Sequence, residues 1–194
     1  MTVNPMNLVQ GPAQLYVAPF GSTEPADSSA TVAGGPPGGV WVDCGGTETA
    51  VMIEEDAKYA SLRVTQIPMD LGARITDYVV TVTTQMAEIT VANLTNALNQ
   101  LTSVTVNSGY TVVDRVVGSS ASQPTYAALI VDGWGPTLST GAPARWRHII
   151  RKVLSQPKIQ RNYDPGKPVV YDVSFSAYYV SSSITPVHEI LQTS

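Results

Sequence analysis

Cysteine and histidine are almost absent. Cys44, His148 and His188 are the complete set in 194 residues. One thiol makes no internal disulfide, and a structural zinc site needs more of these ligands. The thiol count fits folding in a reducing compartment. Charged side chains make up only 13% of the chain, about half the usual share. Disorder needs high charge with low hydrophobicity, and 43% of the residues are hydrophobic, so wholesale disorder is excluded. No run of about 18 apolar residues occurs, which excludes a helical membrane span. Met1 to Gln10 carries neither the basic nor the apolar region of a secretory signal.

What the chain has in excess is β-branching, with 25 Val, 20 Thr and 10 Ile. A branched Cβ loses rotamer freedom in a helix and packs well on a pleated surface. With 15 Gly and 14 Pro as punctuation, the expected class is mainly β.

The pattern along the chain sets the expected elements. Residues 1–13 read as an arm, and 14–18 as a short strand. The stretch 19–39 is rich in Gly, Pro and Ser and is expected to bury nothing. Strands are expected at 40–43, 50–53, 59–66, 74–86, 126–131, 145–154 and 169–180, with a weak hairpin around 110–117. Asp132-Gly133-Trp134-Gly135-Pro136 is expected to end the strand before it. In 74–86, Tyr78, Val80, Val82 and Met86 share the more apolar face. The period then becomes helical through Val91, Leu94, Leu98 and Leu101, behind a candidate N-cap at Thr90. One short helix over about 90–101 is expected to lay this stripe on a sheet. The division expected is an arm and loop (1–39), a β domain (40–180) and a tail (181–194).

Charge is unevenly placed. Residues 1–140 hold 12 acids and 4 bases, and residues 141–194 hold 3 acids and 7 bases. A chain this acidic is a poor wrapper of nucleic acid, because that affinity comes from many Lys and Arg contacts. Two readings stay open for the basic segment. Its strand at 145–154 meets acids on a neighbouring copy, or it is neutralised inside its own subunit.

Signs of catalysis are few. There is no phosphate loop, no H-E-x-x-H and no G-x-S-x-G. Glu54 and Asp56 would share a strand face roughly 7 Å apart, a spacing open to paired carboxylates or a metal, though the favoured reading is a solvated strand end. Asn93-Leu94-Thr95 fits the glycosylation pattern but falls in the expected helix. Trp41, Trp134 and Trp146 read as core anchors. No cofactor and no enzymatic role is expected. A hydrolase would need a pocket around His148 or Glu54. A monomeric binding module, Ig-like or carbohydrate-binding, would need an exposed aromatic platform.

Several segments taken together resemble a known family. They run from Trp41-Val42-Asp43-Cys44-Gly45-Gly46-Thr47 and Val51-Met52-Ile53-Glu54-Glu55 to Leu62-Arg63-Val64-Thr65-Gln66-Ile67-Pro68. Arg74-Ile75-Thr76 then leads through Val80-Thr81-Val82-Thr83-Thr84 to Met86-Ala87-Glu88-Ile89-Thr90-Val91-Ala92-Asn93-Leu94 and Ala97-Leu98-Asn99. Tyr126-Ala127-Ala128-Leu129-Ile130-Val131-Asp132-Gly133 and the basic strand 145–154 complete the set. In order and spacing this resembles the major tail (tail tube) protein of long-tailed, non-contractile bacteriophages.

The resemblance implies a β-sandwich or partial barrel with one flanking helix. It implies hexameric rings that stack into a tube, with inner sheets joining around a channel. The implied partners are further copies of the chain and the tape-measure, tail-tip and tail-terminator proteins. Phage DNA is expected to pass without specific binding, and this chain is not expected to insert in a membrane. The implied place is the virion tail, assembled in the host cytoplasm. A lining that lets phosphate slide should be acidic, so Asp77, Glu55 and Asp172 are expected there. Arg145, Arg147, Arg151 and Trp146 are expected at a subunit contact, where Arg147→Glu would block assembly but spare the fold. Glu54, Asp56, Lys58, Met69 and Asp70 are expected in loops that reach the next ring.

Overall fold

The computed structural model describes residues 4–63, 65–67, 69–99, 102–116, 124–156, 161 and 163–193. Among these, ten strands and one α-helix appear. The fold is mainly β with one helix, as the composition requires.

Eight strands form one antiparallel sheet: β1 (Gln14–Pro19), β2 (Val42–Asp43), β3 (Met52–Leu62), β4 (Gly72–Met86), β7 (Ala127–Thr137), β8 (Pro143–Ser155), β9 (Tyr171–Ala177) and β10 (Val187–Leu191). The order is β2-β1-β7-β8-β9-β4-β3, with β10 also on β8. The segment after β2 then bridges the two ends. Cys44 N donates to Leu15 O, Glu48 N to Gln85 O and Ala87 N to Gly46 O, each at 2.9 Å. The sheet therefore curls into a partial barrel.

Its interior is one apolar cluster. Leu15 and Val17, Val82 and Met86, Leu129 and Val131, and Val173 and Phe175 point inward by alternation, and Ile150 and Val153 join them across a register shift in β8. Leu94 and Ala97 of helix α1 (Val91–Ala97) close one end. Thr90 is the N-cap, its Oγ1 accepting from Asn93 N at 3.1 Å, as the sequence predicts. The helix is shorter than 90–101. Asn99 ends it with φ 53°, a left-handed conformation that Asn tolerates better than most residues. Its side chain brackets the backbone of Ser155: Ser155 N donates to Oδ1 at 2.5 Å, and Nδ2 donates to Ser155 O. Residues 100 and 101 lie outside the described set.

The residues between the inward ones are also buried. Tyr16, Ala18, Ala128, Ile130 and Ile149 form a second cluster with Trp41 on the barrel's outer face. This overturns the expectation for 19–39. The segment from Phe20 to Trp41 is a strap across β1, β7 and β8. Ala30 is buried, and Trp41 Nε1 donates to Thr23 O at 3.0 Å.

Other boundaries shift for identifiable reasons. β7 continues to Thr137 through a register irregularity after Trp134. Gly135 serves close packing rather than a turn, since a Cβ there would lie 2.7 Å from Leu191 Cδ1. The two strands expected at 50–53 and 59–66 are one, β3, irregular between Lys58 and Tyr59. The strand expected at 169–180 is the shorter β9. β1 and β10 lie outside the expected 40–180 unit yet pair with β7 and β8. Gly11, in the expected arm, packs against the Trp134 ring too closely for any Cβ. A separate hairpin, β5 (Thr102–Asn107) and β6 (Tyr110–Arg115), follows the helix.

Candidate assembly surface

The β3–β4 hairpin starts as barrel wall and ends as a free arm. In β4, Val80, Val82, Thr84 and Met86 are buried, and every residue from Gly72 to Val79 is exposed. Nearly all of β3 is exposed as well. Apolar side chains nevertheless continue outward: Tyr59 and Ile75 are each 63% exposed, and Tyr78, Leu71 and Leu62 are open. Met69, at the tip, is 74% exposed. An isolated two-stranded hairpin is at best marginal in water. Cross-strand polar pairs support this one. Lys58 Nζ meets Asp77 Oδ2 at 3.2 Å, Arg63 Nε meets Asp70 Oδ1 at 2.5 Å, and the Tyr78 hydroxyl donates to Glu55. That bond to Glu55, then burial, pushes the Tyr78 phenol up to about 12.

Register decides which acids share a face. Glu54, Asp56 and Lys58 pair with Thr81, Val79 and Asp77. Gln85 pairs with Asp172, Thr83 with Ser174 and Thr81 with Ser176. These alternate positions form one outward face of β3, β4 and β9, and Gln85 Nε2 donates to Asp172 Oδ1 at 2.6 Å on it. Asp77 and Asp172, both expected at a channel wall, therefore share this face, Asp77 in the exposed half of β4 and Asp172 paired with Gln85 near its other end. Glu55 pairs with Val80 and lies on the opposite face. Glu54, Asp56 and Lys58, expected in loops, are strand residues of the Asp77 face. Met69 and Asp70 lie at the arm tip as expected.

The basic strand answers the question that the sequence leaves open. Arg147 is completely buried, with Nη2 2.7 Å from Asp132 Oδ2 and 3.2 Å from Gly35 O, and Nη1 3.1 Å from Ser29 Oγ. Arg145 Nη1 reaches the same carboxylate oxygen at 3.2 Å and stacks over the Trp134 ring. Arg151 is bidentate to Glu24 at 2.5 and 3.0 Å. Trp146 packs on the His148 ring, centroids 5.0 Å apart. Arg147 and Arg151 thus hold the strap to their own barrel, and Arg145 is neutralised on β7. The expected subunit contact is corrected for Arg147, which has no surface to offer, and with it the expectation that Arg147→Glu spares the fold. The register Asp132 opposite Arg147 is the physical reason.

Among the described residues, the side chains named for other functions have these partners. His148 and His188 face Glu189 and Asp27 at 3.4 and 3.3 Å, each a pair without a nucleophile. No group of three or more His, Cys, Asp or Glu is placed to hold a metal among the described residues. Asn93 turns inward, its Nδ2 donating to Cys44 O at 2.8 Å and to Glu88 O at 3.0 Å. Phe20, Tyr126 and Tyr178 cluster edge to face, with interplanar angles of 69° and 65°. Lys152 Nζ covers the Tyr126 ring at 4.3 Å, so these rings present no flat platform for a sugar.

The signal for Tyr59, Ile75 and Tyr78 was available in the sequence, as apolar residues recurring on a strand rich in charge. Their free exposure was not. The sequence matches no protein-family model and no curated protein.

Proposed function

We propose that this chain is a self-assembling tail-tube subunit of a long-tailed, non-contractile bacteriophage. The observation that carries the reading is the arm: a strand pair exposed on both faces, with Tyr59, Ile75 and Tyr78 open, and continuous with a barrel wall. Such an element gains stability when a neighbour covers it. Among the described residues, the outer edge of β3 is also unpaired along 11 residues, and closing copies into a ring removes such edges.

The two outer sides of the barrel suit an inner and an outer surface. The strap covers β1, β7 and β8. The other side, over β3, β4 and β9, carries Glu54, Asp56, Asp77 and Asp172 against one base, Lys58, among Thr and Ser. We assign this side to the channel. Acids repel phosphate and release no counterions, so a DNA strand slides past them. The same bore holds a tape-measure protein before the DNA, with terminator and tip proteins capping the ends. The site is the virion tail, formed in the host cytoplasm.

A ring contact joins two different surfaces and closes only if its rotation closes. An obligate contact of this kind buries about 2,000 Å² or more. Purified protein examined by negative-stain microscopy and sedimentation tests the reading. Rings or tubes are the expected result. A strict monomer at high concentration would defeat it.

A further inference from the structure

The strap and the barrel enclose an apolar recess of about 220 Å³. Phe20, Trp41, Ala128, Ile149, Val180 and Ile184 line it. At ~30 Å³ for each water it would displace, the recess has room for one long apolar side chain. Its rim is polarised. Glu24 stands at one side, tied to Arg151 but with 35% of its side chain exposed. Phe20, on the lining, carries Lys152 Nζ over its ring, 5.4 Å from the centroid. No carboxylate is within salt-bridge distance of Lys152 among the described residues.

The arm tip carries the complementary pattern. Met69 projects into solvent beside Asp70, whose partner is Arg63, 76% exposed. The tip does not reach its own recess while β3 and β4 stay paired. The exposed part of the hairpin extends roughly 25–30 Å from the barrel at about 3.3 Å per residue, whereas the recess lies under the strap on β7 and β8.

We infer that Met69 of one copy seats in the recess of a second copy, with Asp70 towards Lys152 and Arg63 towards Glu24. This rests on the self-assembly reading above and names its contact. A knob and a pocket on different surfaces of one chain make a heterologous contact, which repeats from copy to copy. The opposed charges fix its orientation.

Chains carrying Met69→Cys, mixed with chains carrying Ser22→Cys at the recess, test this under mild oxidation. A mixed disulfide between chains is expected, and its absence overturns the contact. Met69→Glu should lower the assembled fraction at least tenfold in sedimentation with an unchanged thermal midpoint. Asp70→Lys and Lys152→Glu should each do the same, and together restore assembly to within threefold of the parent. Charge reversals that add instead of cancelling also overturn it. Tubes without the mixed disulfide remove the contact and leave the tube reading in place. A mixed disulfide in a preparation that never forms tubes does the reverse.

Discussion

The wall strands β7 and β8 and the arm strands β3 and β4 obey the same local rule and have opposite fates. Both pairs are long, antiparallel and rich in β-branched and aromatic residues. In β7, Leu129, Ile130 and Val131 are all buried, because the interior takes one face and the strap takes the other. In the arm, Ile75, Tyr78 and Val79 are all exposed, because none of the described residues covers either face. Strand formation is therefore decided locally, and burial is decided by whatever arrives later from elsewhere. A wall finished within one chain should be sensitive to mutation in the isolated subunit. An arm finished by a neighbour should be sensitive only in the assembly.

The largest effect expected is at Arg147. Arg147→Met leaves Asp132 buried with only Arg145 near it and frees the strap from two of its hydrogen bonds. Breaking a buried pair costs about 3–5 kcal/mol. The denaturant midpoint of the isolated chain should fall accordingly, with assembly lost because the fold is lost. An unchanged midpoint would erase the distinction between wall and arm.

Next comes the alkaline limb. Burial first, and then Asp43, push the Cys44 thiol from 9.0 up to about 12. The folded chain keeps a proton that the unfolded chain releases, so this contribution is whole below pH 9 and is lost as pH rises towards 12. Stability should fall by up to about 1.4 kcal/mol per pH unit over that window. Cys44→Val should flatten the fall, and a thiol reagent at pH 8 should react only with unfolded protein. Tyr78 is also held up at about 12, but its exposed position in the arm screens the effect. Tyr78→Phe should change the slope far less.

Asn93→Ala removes two hydrogen bonds, one tying α1 to Cys44 in the barrel's closing segment and one to Glu88 just before the helix. Leaving the Cys44 and Glu88 carbonyls without this donor should cost about 1–3 kcal/mol in chemical unfolding. The smallest effect on the isolated chain belongs to the arm. Tyr59→Ser with Ile75→Thr should shift its stability by no more than about 0.5 kcal/mol each. The same pair should collapse the assembled fraction in sedimentation. Comparable losses in both measurements would show that the arm is already packed on its own subunit.

Much of this fold was legible because it is local. Thr90 announces the helix by its capping hydroxyl, and the alternation from Tyr78 to Met86 gives the inward face of β4. What escaped depends on distant partners. Nothing within 19–39 suggests a strap, since Ala30 is its only fully buried apolar residue of the types that usually build cores. The hint lay in Ala128 to Val131, whose unbroken apolarity demands a cover on both sides. Arg147 reads as a surface arginine until β7 pairs in the register that sets Asp132 opposite it. The Gly and Pro of 133–136 read as a turn, though one of those glycines only makes room for Leu191. The acids Asp77, Glu55 and Asp172 were chosen by charge alone; Asp77 and Asp172 share a sheet face and Glu55 falls to the other, because composition gives charge and only pairing gives side.

Asn99 has a consequence beyond ending a helix. Its carboxamide offers Ser155 one donor and one acceptor, the pair that a backbone peptide would offer, at the place beside β8 that β7 has vacated. A single side chain thus impersonates the missing piece of strand and plugs the gap against intruders. That flank of β8 is thereby closed by the chain itself, whereas the described residues leave the outer margin of β3 open.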